Sequence, residues 1–187
     1  GWEMAKAVSR GGIRLIEITW NSEKAAELIV KLREELPDCT IGAGTILNKD
    51  ELEGAIAIGC QFLFSPYTNP ELIKIAQKAG VPIIPGALSP TEIVTAWQSG
   101  ATCVKVFPIS AVGGAAYLKS LQGPLDQIPL IPTGGVTIEN AREFIAAGAV
   151  AVALGGNLFP PEAIAKRNWE AIAKRTQFLL QQLNVST

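Results

Sequence analysis

The chain has 187 residues, 48% of them hydrophobic and 18% charged, with a formal net charge of −1. This is the composition of one globular domain, 1–187, and it offers neither nucleic acid nor an anionic membrane an electrostatic handle. Aromatics at 6% are too few for single-strand stacking, and the absence of histidine excludes Ser–His and Cys–His dyads and every His-ligated metal site.

Acid–base work therefore falls to Glu, Asp, Lys or Tyr. The cysteines Cys39, Cys60 and Cys103 form no CxxC pair and are expected as buried, reduced thiols of a cytoplasmic protein. No apolar run is long enough to span a bilayer, and no signal peptide is read.

In chain order, one pattern recurs. An Ala-rich helical segment ends at Gly and an apolar strand follows, as in AVSRGGIRLIEITW, GAIAIGCQFLFSP, IAQKAGVPIIPG, AWQSGATCVKVFP and FIAAGAVAVALGG. Two further strands, TIGAGTIL and IPLIPTGG, fill the gaps. The strands are expected at 14–20, 40–46, 62–66, 82–86, 102–108, 129–133 and 151–155. Asn21 or Ser22 is expected to cap a helix over 23–35, where Ala25, Leu28, Ile29 and Leu32 form an apolar stripe. Asn69 with Pro70 and Ser89 with Pro90 open two more helices, Thr137 starts another, and the last runs over about 168–184.

Strict alternation of strand and helix means an all-parallel α/β sheet, either open or closed. Polar or glycine-rich chemistry stands near the end of nearly every strand: Glu17, Thr45, Ser65, Gly86, Lys105, 133–135 and 155–157. An open sheet concentrates its site at one switch point, whereas every strand end of a barrel faces the same mouth. The expected fold is a (β/α)8 TIM barrel whose first strand would precede Gly1, since only seven strands are read.

Lys105 interrupts the apolar run of VKVF, and Glu17 that of RLIEITW. One reading is structural: a snorkelling lysine, or a buried ion pair. The other is chemical. Desolvation lowers an amine's pKa, so Lys105 can be a neutral nucleophile that forms an imine with a carbonyl. Glu17, its pKa raised by burial, can carry protons beside it. The turns at 42–45, 132–135 and 155–157 present backbone N–H groups suited to phosphate or carboxylate.

The ordered motifs GGIRLIEIT, IGAGTILN, FLFSP, PIIPGALSPTE, VKVFP, PTGGV and the late GG resemble the 2-keto-3-deoxy-6-phosphogluconate (KDPG) and 4-hydroxy-2-oxoglutarate (KHG) aldolase family, nearly end to end. The resemblance implies a class I, Schiff-base lyase that cleaves KDPG to pyruvate and glyceraldehyde 3-phosphate, with no cofactor and no metal. It also implies a homotrimer and a place in the Entner–Doudoroff pathway of carbohydrate metabolism. By the same resemblance Lys105 forms the pyruvate imine, Glu17 moves protons and Thr45 helps hold the carboxylate. Thr133, Gly134 and Gly135 face the substrate and its phosphate. Pro66, Gly86, Phe107, Gly156 and Asn157 complete the expected substrate-binding set.

Two positions depart from the family pattern. Asn21 stands where many members carry a carboxylate-binding Arg, and Asn157 where many carry Ser. Related members place that Arg near the end of strand one, so the chain as given is expected to bind pyruvate weakly or not at all. Trp20 and Tyr67 are also bulkier than usual. KHG aldolase or oxaloacetate decarboxylase activity through the same lysine stands as the alternative, and a non-catalytic sugar-phosphate-binding barrel as a third.

Overall fold

The computed structural model describes residues 1–183 and bears out the barrel. The strands are β1 (Leu15–Thr19), β2 (Thr40–Gly44), β3 (Leu63–Phe64), β4 (Ile83–Ile84), β5 (Gly86–Ala87), β6 (Val104–Val106) and β7 (Leu130–Pro132). The helices are α1 (Trp2–Arg10), α2 (Ala25–Glu35), α3 (Lys49–Ala57), α4 (Pro70–Lys78), α5 (Pro90–Gln98), α6 (Ala115–Leu125), α7 (Ala141–Ala146), α8 (Pro161–Ala165) and α9 (Trp169–Gln182).

All strand pairs are parallel, and the order follows the chain: β1-β2-β3-β4, then β5-β6-β7. β4 and β5 are two halves of one strand, broken at Pro85, which has no N–H to donate. A parallel bridge from Thr133 to Ala153 extends the sheet by one more position. A doubly wound sheet reverses its order at a switch point; this one never does, which is barrel topology.

Side-chain alternation separates two apolar layers. Ile16, Ile18, Ile41, Ala43, Leu63, Ile83, Val104, Val106 and Leu130 pack outward into the main core with the helices. Phe62, Phe64, Ile84 and Ile131 form a second cluster, joined by Cys103, Ala151 and Ala153. This second cluster is the barrel interior, because its members alternate with the outward set along each strand.

Helix starts follow local capping. Asn48, Asn69 and Asn168 accept backbone N–H bonds at the starts of α3, α4 and α9. Ser89 and Glu92 form a reciprocal capping box on α5.

Several expectations need correction. Neither Asn21 nor Ser22 caps α2: the cap is Lys24, in left-handed backbone, and the Ser22 hydroxyl is engaged with that of Thr19 at 2.7 Å. Thr137 does not start α7. Its N–H donates to Asn140 Oδ1 at 2.7 Å and its hydroxyl accepts from Asn140 N–H at 3.3 Å, a turn that delays the helix to Ala141. The strand expected at 151–155 is only the bridge at Ala153, and the middle strands are shorter than read. Short βα-barrel strands sit between turns that begin as soon as the chain reaches the mouth. The expected end of α9, residue 184, lies outside the described residues. α8 was not anticipated: its five residues show no buried face to read. Cys103 is half-buried rather than buried, because it points into the barrel.

Candidate active site

Lys105 is the central residue of β6, between Val104 and Val106, which face the helices. Its side chain therefore points into the barrel, in register with Gly86 on one side and Ile131 on the other. Only 8% of the residue is exposed. Its Nζ stands 4.8 Å from the ring centroid of Phe107 and 5.7 Å from that of Phe64. Aromatic faces stabilise a cation but replace little of its lost hydration. Burial accordingly holds the Lys105 pKa below the ordinary lysine value, and the Glu17 carboxylate opposes that shift only in part.

Glu17 occupies the same alternation on β1, between the outward Ile16 and Ile18. Burial raises its pKa, and Lys105 pulls it back only in part. Both groups are thus displaced toward their neutral forms, each chiefly by desolvation. All ion pairs among the described residues are i,i+3 or i,i+4 contacts on helix surfaces, so Lys105 and Glu17 face one another without ion-pair contact. A neutral amine and a protonatable carboxyl at one barrel mouth can attack a carbonyl and shuttle its protons.

Two glycines of β2 make the room. A Cβ at Gly42 would enter the Phe62 ring at 2.5 Å, and one at Gly44 would collide with the Glu17 carboxyl. The turn expected at 42–45 begins only after Gly44, and the period-two glycines of GAGT are inward strand positions emptied for neighbours. Phe64, a neighbour of the amine, carries no such signal in the sequence. Thr45, next in chain, has φ +60. A β-branched residue in left-handed backbone is a true outlier, and such outliers cluster at functional sites.

The other expected residues fall around this mouth. Gly86 admits the Pro66–Tyr67 peptide, since a Cβ there would strike the Pro66 carbonyl. Phe107 packs on Gly134, whose added Cβ would lie 3.0 Å from the ring. Thr133 and Gly134 accept the N–H groups of Ile109 and Ser110 at 2.9 and 3.1 Å, locking the β7 loop onto the β6 loop. Gly134 and Gly135 have φ +82 and +93, a conformation that glycine alone adopts freely.

A Cβ at Gly155 or Gly156 would meet nothing within 4 Å. Asn157 has two internal partners: its Oδ1 accepts the Ile138 N–H at 2.9 Å, and its main-chain carbonyl accepts from Arg175 Nη2 at 2.8 Å. Asn21 is exposed in the turn after β1. Among the described residues, no group of three or more His, Cys, Asp or Glu side chains gathers, and no helix is long and apolar enough to cross a membrane.

A desolvated lysine facing a carboxyl inside a parallel barrel suits carbonyl chemistry, and the family to which the chain is matched makes it an aldolase, a lyase. The family model for KDPG and KHG aldolase matches residues 2–175, and the chain belongs to that family. It is 37% identical over 182 residues to the 2-dehydro-3-deoxy-phosphogluconate aldolase of Treponema pallidum, covering 97% of this chain and 87% of the relative. Among solved structures, native KDPGal superposes with a TM-score of 0.89 at 31% identity, covering 97% of this chain and 87% of that one. The KDPG aldolase of Legionella pneumophila, solved with pyruvate captured as a covalent carbinolamine, superposes with a TM-score of 0.87 at 32% identity, covering 99% and 87%.

Proposed function

We propose that the chain cleaves KDPG to pyruvate and glyceraldehyde 3-phosphate through an imine on Lys105. The observation that carries this reading is the placement of Lys105, 8% exposed and facing a carboxyl whose charge only partly offsets its desolvation. The neutral Nζ adds to the C2 ketone to give a carbinolamine. Glu17 supplies the proton with which water leaves, and a protonated imine remains. Glu17, now a carboxylate, takes the C4 hydroxyl proton. The C3–C4 bond breaks, its electron pair flows into the imine, and the aldehyde departs from an enamine. Return of the proton to C3 and hydrolysis of the imine release pyruvate.

Thr45 is assigned to the substrate carboxylate, with Pro66, Gly86 and Phe107 shaping the wall around the ketone. Thr133, Gly134, Gly135, Gly156 and Asn157 are assigned to the phosphate, whose oxygens suit backbone N–H donors in glycine turns. The Asn157 side-chain oxygen Oδ1 accepts the Ile138 N–H, which leaves the side-chain NH2 group as the donor for a ligand. The carbinolamine in the Legionella relative supports the covalent route. A homotrimeric, cytoplasmic enzyme of the Entner–Doudoroff pathway completes the proposal, on the strength of the family resemblance.

Borohydride reduction in the presence of pyruvate tests the imine. A pyruvate adduct on Lys105, located by peptide mass spectrometry, is expected; an intact enzyme that forms none overturns the reading. Turnover of KDPG, 4-hydroxy-2-oxoglutarate and oxaloacetate, compared as kcat/KM, then ranks the substrates. KDPG is expected to lead. Sedimentation of the same preparation checks for three copies.

A further inference from the structure

Arg175 lies on α9, on the helix side of the barrel wall, and is half-buried. Its Nη2 donates to the Asn157 carbonyl at 2.8 Å, while its Nε is buried without a hydrogen-bond partner. A buried donor left unpaired is rare in a folded protein and calls for an explanation. Asn157 passes the contact on, because its Oδ1 accepts the Ile138 N–H at 2.9 Å. One arginine thereby joins α9, the 155–157 loop and the segment leading from the 133–135 loop into α7. Arg175 also acts weakly on the exposed Glu139. That carboxyl is held below the usual range first by its own backbone N–H, then by the Thr137 hydroxyl, and least by Arg175. What Arg175 contributes to the loops is the geometry of its bond to the Asn157 main chain.

We propose that Arg175 is a positioning residue that sets the separation of the two glycine loops, and thereby the fit of the substrate's phosphate end. The inference rests on the assignment of those loops to the phosphate. A 1 Å misplacement of a binding group is enough to cost on the order of 10²-fold. Arg175 bonds the Asn157 main chain and not Lys105 or Glu17, so its removal acts on the phosphate end of the substrate only.

The test compares KDPG with its dephosphorylated counterpart, 2-keto-3-deoxygluconate, in Arg175→Gln and Arg175→Lys. Arg175→Gln is expected to raise KM for KDPG about tenfold. It should leave kcat/KM for the dephosphorylated substrate and pyruvate trapping at Lys105 within about twofold. Arg175→Lys still donates to the Asn157 carbonyl and is expected to recover most of the loss. Should Arg175→Gln fail to fold, Arg175→Met, which keeps an apolar stem and removes only the donor to the Asn157 main chain, must give the same KDPG-selective rise. Equal effects on both substrates, or none on either, overturn the inference. Loss of pyruvate trapping in the unsubstituted protein would instead overturn the aldolase reading itself.

Discussion

The carboxyl of Glu17 stands in the space that a Cβ on Gly44 would occupy. Gly44 has ordinary backbone, so the restriction is one of volume alone. Gly44→Ala should therefore fold and push the carboxyl off its position facing Lys105. A loss of about 10²-fold in kcat is expected, within the range that general acid–base catalysis contributes. Pyruvate trapping should survive in part, since the amine is untouched. Unchanged kcat, measured beside an intact far-ultraviolet spectrum, would show that Glu17 needs no fixed position.

Lys105 costs stability. Its folded pKa is lowered from 10.5, with burial outweighing the attraction of Glu17. Below pH ~10 the unfolded chain binds a proton more readily than the folded one, so stability declines as pH falls from there through the folded pKa. Lys105→Met should abolish activity and raise Tm at pH 7, by roughly 2–4 °C for each kcal/mol recovered. The gain should shrink as the pH approaches that of the unfolded lysine. Thermal scans from pH 7 to 10 read it directly. A Met variant that melts earlier than the parent at pH 7 would mean that the lysine's contacts hold the barrel together.

Thr45 holds φ +60 beside Gly44. Thr45→Gly relieves that backbone strain, by roughly 1 kcal/mol or more. The hydroxyl assigned to the substrate carboxylate is lost with it. Chemical denaturation should show a more stable protein, and kinetics a KM for pyruvate-forming substrates raised about tenfold. A variant that is less stable would place the value of Thr45 in packing instead.

The parallel barrel was legible because its outward strand residues and helix stripes obey simple periods, and because Lys105 and Glu17 violate them. What stayed hidden shares one cause. The emptied positions at Gly42 and Gly44, the ring of Phe64 beside the amine, and the Arg175–Asn157–Ile138 link all join residues far apart in the chain. Capping went wrong for a related reason. Ser22 has the right chemistry for a helix start, but Thr19, placed by the end of β1, claims its hydroxyl first. Local propensity describes what a residue can do, and the fold decides which partner reaches it.

The break at Pro85 reaches further than a lost amide. The strand addresses β3 through Ile83–Ile84 and β6 through Gly86–Ala87, and the Pro85 carbonyl itself receives the Lys105 N–H at 2.9 Å. The depth of the reactive amine inside the barrel is therefore dictated from the adjacent strand, by an imino acid with no functional group of its own. Substitutions that tune how sheltered that amine is need not go near any atom that a substrate can touch.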